Sequence, residues 1–182
     1  MQMQANDNLT LYRQTLGDAF DNLPQVLKTF HAHPDGAAAR GTLRITRGQG
    51  WLRQTMASLM RLPASGEQVP VLLNVQVNAG IERWSRQFGS LRLVTRQWLW
   101  QGLLIETAGP LRFGFRLSAN ATEMRFDFAR CWLLGMPLPF ALAPRVNARA
   151  SEYEDGWWIH VCVEVPVLGM LAQYEGKVVP EC

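Results

Sequence analysis

Leu111-Arg112-Phe113-Gly114-Phe115-Arg116-Leu117, then Ser118–Thr122, then Glu123-Met124-Arg125-Phe126-Asp127-Phe128: large apolar residues recur at every second position on both sides of a polar break. A period of two is the signature of a half-buried strand, so this stretch is a β-hairpin. Working outward, the same period persists. Upstream lie Val69–Asn78, Ile81–Phe88, Leu91–Trp100 and Leu103–Thr107; downstream lie Val146–Glu154, Trp157–Val165 and Gly169–Val179. Asn78-Ala79-Gly80 and Asp155-Gly156 join neighbouring runs as tight hairpin turns.

Nearer the N-terminus the period changes. Leu9, Tyr12, Leu16, Ala19, Phe20 and Leu23 fall at helical spacing, with Asn8 or Thr10 available as a cap. Pro24 restarts a helix that continues through Val26, Leu27 and Phe30 to a His33–Gly36 turn. Gly41–Gly48 alternates as a first strand, and Gly50–Leu62 returns to helical spacing before Pro63, Ser65 and Gly66 end it. The expected architecture is a single α+β domain over residues 1–182. It has a helical part at about 8–62 with one early strand, and an antiparallel sheet at about 69–180. So many strands in one meander must twist and curl. A half-barrel or barrel follows, with helices covering the outside of its cup or crossing it.

Between the Leu111–Phe128 hairpin and the last strands lies Cys131–Pro144, C-W-L-L-G-M-P-L-P-F-A-L-A-P, charge-free and flanked by Arg130 and Arg145. Its three prolines bar it from a central strand. Burial as a crossover over one end of the barrel is the favoured fate. Lining a ligand site ranks second and touching a membrane third.

Composition narrows the function classes. Hydrophobic residues make up 48% and charged residues 18%, which places the chain among folded proteins with large cores. The net charge of +3 comes almost wholly from arginines interspersed with carboxylates, without a basic run, which argues against a nucleic-acid partner. Cys131, Cys162 and Cys182 show no C-x-x-C spacing, so neither a disulfide framework nor a zinc site is expected. No signal peptide and no run of about 20 apolar residues is visible, so the reading is cytoplasmic, without stable membrane insertion.

No catalytic or metal motif stands out, and no cofactor is implied. His160 and Cys162 share a strand face, but a pair falls short of the three or four ligands zinc needs. Gly114 marks a bulge or the close approach of another group. Glu82 and Glu106 lie on aromatic-rich strands where burial would raise a carboxyl pKa. Glu82 shares a face with Trp84, Arg86 and Phe88, so a structural Arg–Glu pair is the ordinary explanation. Arg83, Arg92, Arg96, Arg112, Arg116 and Arg125 form either a cationic lining or, more ordinarily, the solvated outer face of an amphipathic sheet. The tryptophans, Trp132 included, fit core and edge packing better than a ligand cage.

Arg130–Arg145, together with L-Y-R-Q-T-L-G-D-A-F-D-N-L-P from Leu11, I-E-R-W-S-R-Q-F-G from Ile81 and G-P-L-R-F-G-F-R-L from Gly109, resembles a bacterial family, domain of unknown function 4166. The likeness runs over about residues 9–180 and matches the stand-alone form. Relatives joined to Rossmann-type oxidoreductase-like domains would imply an accessory or binding role. The family brings no functional residues to carry over. The leading expectation is non-catalytic binding of an apolar or amphipathic, lipid-like small molecule in a β-cup. Glu82, Trp84, Arg86, Glu106, Arg112, Arg116 and Trp132 are the candidate ligand-binding residues. The alternatives are a protein-interaction module, as a homodimer or a redox-enzyme partner, and an enzyme using Glu82 or Glu106 with an arginine.

Overall fold

A computed structural model describes residues 9–181. The strands are β1 (Gly36–Arg47), β2 (Gly66–Asn78), β3 (Ile81–Phe88), β4 (Leu91–Trp100), β5 (Leu103–Ala108), β6 (Leu111–Ala119), β7 (Glu123–Leu133), β8 (Met136–Pro137), β9 (Arg145–Tyr153), β10 (Gly156–Val165) and β11 (Gly169–Glu181). Each long strand pairs antiparallel with its sequence neighbours, and β1 pairs with β11 from Ala38↔Glu181 to Arg47↔Ala172. That last ladder closes a ten-strand up-and-down barrel, with two-residue β8 a spur on β7. Closure leaves no long free edge and decides between the expected half-barrel and barrel in favour of the barrel.

The helices stop the two ends of the barrel. Of the two expected placements, outside the cup or across it, the helices take the second and leave the flank uncovered. α1 (Leu11–Leu16), a 3-10 turn (Gly17–Asn22) and α2 (Gln25–Ala32) together touch β1, β4, β6, β9 and β10. Strands on opposite sides of a barrel share a neighbour only across its mouth. Leu11, Leu16, Phe20, Leu23, Leu27 and Phe30 of this plug are all buried. At roughly 1.5–3 kcal/mol of transfer free energy for each large side chain, its burial is worth on the order of 10 kcal/mol. It is therefore a fixed stopper. Asn8 lies outside the described residues; Thr10 takes the N-cap position, but its hydroxyl makes no cap bond and is buried without a partner. α3 (Trp51–Leu59), between β1 and β2, stands at the other end and fully buries only Ala57.

Two glycines are required by the closing seam, Gly41 on β1 and Gly176 on β11. Gly41 alternates with buried Ala39 and Leu43, and a Cβ there would lie 2.1 Å from the carbonyl oxygen of Lys177 on β11. The obstacle is backbone, so it yields only if the strands separate. Gly41→Ala is expected to cost about 1–3 kcal/mol, read as a lowered urea midpoint; an unchanged midpoint would mean the seam can widen freely.

Cys131–Pro144 closes a split. β7 and β9 pair only over Glu123–Phe126 and Ala148–Ser151, and Asn147 Oδ1 then accepts from the Phe128 N–H (3.0 Å). Below that point the two strands part. The gap is filled by the end of β7, by β8 and by a loop in which Ala143 and Pro144 are buried. The expected crossover is thus only half buried: Leu134, Met136, Phe140 and Leu142 project outward.

Candidate ligand cavity

The inward faces of the strands enclose a cavity of about 180 Å³. Most of its wall is apolar, including Leu73, Phe88, Phe113, Phe115, Met124 and Trp157. The N-terminal plug contributes Tyr12, Leu27, Phe30 and His31, while Met60 and Leu62, just beyond α3, bound the other end.

The polar groups converge on the wall made by β3, β4 and β5. Alternation directs Glu82, Trp84 and Arg86 of β3 inward, with Thr95 and Gln97 of β4 and Glu106 of β5 beside them in register. Arg86 Nη1 donates to Glu106 Oε1 and to Thr95 Oγ1, both at 2.7 Å, and the guanidinium lies 4.9 Å from the Trp84 ring centroid. Among the described residues only Nη1 of Arg86 has a hydrogen-bond partner, which leaves Nε and Nη2 as donors for a bound group. Tyr12 Oη donates to Gln97 Oε1 at 3.0 Å and its ring stacks on His31 at 3.8 Å. Trp84 Nε1 donates to Glu82 Oε2 at 2.9 Å.

Burial sets the protonation of these groups. It raises the Glu82 carboxyl to about 7 against the opposing hydrogen bond from Trp84, and lowers His31 to about 3, so the imidazole is neutral. It also lifts the Tyr12 phenol well above its usual value, aided by Glu82 and Glu106, and lifts Tyr174 to about 12. Burial opposes the charge on Arg86, but Glu106 and the nearby phenols hold its pKa above the ordinary value. Below pH 7, where Glu82 is protonated, the polar wall is one cation matched by one anion, surrounded by neutral donors and acceptors.

Of the seven residues expected to bind a ligand, Trp84, Arg86 and Glu106 line the cavity. Glu82 faces inward beneath Trp84 but is not part of the lining. Three must be corrected. Arg112 and Arg116 alternate with the inward Phe113 and Phe115, so they face solvent, with Arg112 over the Trp98 ring at 5.6 Å. Arg83, Arg92, Arg96 and Arg125 are likewise exposed, giving the solvated-face reading. Trp132 is buried, but on the outside of the barrel. A register shift opposite Gly114/Phe115 leaves Ala129 unpaired, which turns Cys131 inward and Arg130 and Trp132 outward. The Trp132 ring then covers Gly114, where a Cβ would stand 3.3 Å from it, and meets Trp100 edge-on at 6.0 Å. Of the two purposes expected of Gly114, it serves the close approach, and the bulge lies opposite it on β7.

The sequence reading missed Tyr12, His31, Thr95, Gln97 and Tyr174. A signal for two of them exists: in Leu91-Arg92-Leu93-Val94-Thr95-Arg96-Gln97, the arginines mark the outer face and so turn Thr95 and Gln97 inward. His31 follows Leu27 at helical spacing on a buried stripe. The expected Glu82–Arg86 pair is replaced by Arg86–Glu106. His160 and Cys162 alternate with the cavity-lining Ile159, Val161 and Val163, so they lie on the outer face. Among the described residues no three histidines, cysteines or carboxylates come together as a metal site would need. Burial raises Cys131 to about 11, leaving it a neutral thiol; Cys182 lies outside the described residues.

Comparison with known proteins adds the family. The model of a domain of unknown function (DUF4166) matches residues 23–178, most of the chain. The chain belongs to the DUF4166 family. A crystal structure of a protein of unknown function from the DUF3598 family of Nostoc punctiforme has the same fold, with a TM-score of 0.53 and 8% identity. The alignment covers 80% of this chain and 47% of that one, so the DUF4166 chain spans about half of its structural relative. No curated protein matches the chain in sequence. No helix among the described residues is long and apolar enough to cross a membrane.

Proposed function

We propose that the barrel binds a small, neutral, mainly apolar molecule carrying one hydrogen-bond-accepting oxygen. The observation behind this reading is the cavity of about 180 Å³ with a single polar wall at Arg86, Thr95, Gln97 and Glu106. Its volume is near that of cavities of about 150 Å³ that admit benzene and below the roughly 300–1,000 Å³ of drug-sized sites. A whole lipid is therefore too large, and the lipid-like expectation narrows to a ring or short chain. Glu106 already balances the Arg86 charge, so a carboxylate ligand would leave an uncompensated anion in an apolar enclosure. A carbonyl or ester oxygen takes the free Arg86 donors without that cost.

Acetophenone, benzene and benzoate test this directly in ligand-observed NMR and thermal melting. The expected order of affinity is acetophenone, then benzene, then benzoate. Saturating acetophenone should raise Tm by a few degrees, since a ligand at about 100 times its Kd adds about 2.7 kcal/mol. Absence of binding by all three would overturn the reading, and preference for benzoate would overturn the neutral-ligand part. The acid–base alternative draws less support, because Glu106 is held by Arg86 and Glu82 is not in the lining.

A further inference from the structure

The end of the barrel that carries α3 exposes apolar side chains on three separate connections. In a meander, the β1–β2, β7–β9 and β10–β11 connections all leave from one end. The strands β7, β9, β10, β11 and β1 are consecutive, spanning about half the rim. On α3, Trp51, Leu52 and Leu59 fall within an arc of roughly 100° at 3.6 residues per turn, facing away from buried Ala57. Trp51 is 73% exposed and Leu59 77%, and Val167 in the β10–β11 turn joins them at 67%. Farther along the same rim stand Leu134, Met136, Phe140 and Leu142. These are protruding tips on several segments, and they do not form the walls of a groove.

The charge on that half-rim is basic. Arg47, Arg53, Arg61 and Arg130 have no carboxylate within salt-bridge distance among the described residues. Arg53 instead donates to the Leu168 and Gln49 carbonyls, and Arg47 to the Pro63 and Leu62 carbonyls, which hold the cations in place without neutralising them. Arg145 faces Glu164 at 4.0 Å. The opposite end carries Asp18, Asp21, Asp35, Glu123, Glu152, Glu154, Asp155 and Glu181 against Arg13, Lys28, Arg40, Arg83, Arg125, Arg149 and Lys177, so its charges nearly cancel. The molecule is therefore polarised along the barrel axis, with its apolar tips at the positive end.

We propose that this end docks reversibly on an anionic lipid bilayer, with the α3 and Cys131–Pro144 tips entering the interface and the arginines facing the headgroups. Tryptophan, phenylalanine and leucine beside arginine is the composition that lies in a membrane surface. Each unneutralised cation near such a surface contributes about 1 kcal/mol. A second copy is a poor occupant, since stacking two such faces would bring their free arginines together. α3 is also the lightly anchored stopper, so docking would place the weaker end of the cavity against the bilayer.

The test is co-sedimentation with vesicles of phosphatidylcholine alone and of phosphatidylcholine with roughly 30 mol % phosphatidylserine. Wild type is expected to pellet with the anionic vesicles, to be released by salt, and to stay in solution with the neutral ones. W51S/L59S and F140S/L142S should each weaken binding by roughly tenfold or more, since each removes two exposed apolar side chains. R53Q/R61Q should flatten the salt dependence. L72S, on the outer flank of β2, should bind as wild type, and all variants should keep wild-type circular dichroism and acetophenone binding. Failure of wild type to pellet with anionic vesicles at low salt would overturn the proposal, as would full binding by both apolar double variants. A dimer in light scattering that W51S/L59S abolishes, without vesicle binding, would assign the face to a second copy and overturn it too.

Discussion

Replacing Arg86 with methionine is expected to lower stability by about 3–5 kcal/mol, because it strands the Glu106 carboxylate inside the barrel. The side chains of the pair are 18% and 15% exposed, joined at 2.7 Å, and they face an apolar cavity. A lone anion there has Gln97 opposite it on β4 but, among the described residues, no other cation in a salt bridge with it. The double variant R86M/E106Q removes both charges and should recover most of the loss. A urea-denaturation cycle over the four proteins reads the coupling directly. Additive losses would mean that water entering the cavity already screens each charge. The same cycle bears on function, because R86M should also erase the preference for acetophenone over benzene while leaving benzene binding intact.

The strands were legible because alternation is a local signal, and their lengths allowed only a curled sheet. Whether that curl stops at a half-barrel or closes into a barrel is not legible. It depends on Gly36–Arg47 meeting Gly169–Glu181, the first strand with the last, and no periodicity specifies that pairing. The site divides along the same line. Trp84 and Arg86 share a strand face, and Glu106 reaches them through the register of β4 and β5, so face-sharing found the polar wall. Arg112 and Arg116 went wrong where alternation itself had the answer, since Phe113 and Phe115 occupy the inner face. Trp132 failed for another reason: the extra residue at Ala129 inverts the phase of β7, and the one hint of it, Gly114, sits on the partner strand and does not say which residue is extra. In Cys131–Pro144, lack of charge is not a reliable sign of burial. The seam between β7 and β9 has room for only part of that segment, and the remainder is left outside.

Glu82 supplies the second large effect, visible only as a function of pH. Its ordinary pKa is 4.5 and burial raises it to about 7, so the folded state binds a proton that the unfolded state has released between those values. Stability is thus greatest below 4.5 and falls as pH rises through 7, by about 3 kcal/mol for a shift of this size. His31 works in the opposite sense. Its ordinary 6.5 is lowered to about 3, so its contribution is complete above 6.5 and is lost as pH falls toward 3. From about pH 4.5 to 6.5 the two slopes oppose each other, and wild type should show a nearly flat profile. Glu82→Gln keeps the acceptor for Trp84 Nε1 and removes the titration. Its stability should therefore rise with pH through the window where wild type is flat. The gap between the two proteins, followed by urea unfolding from pH 4 to 8, should shift by about 3 kcal/mol in favour of the variant. A gap independent of pH would mean that the Glu82 carboxyl is solvated through the cavity, and that the polar wall of the barrel is wet.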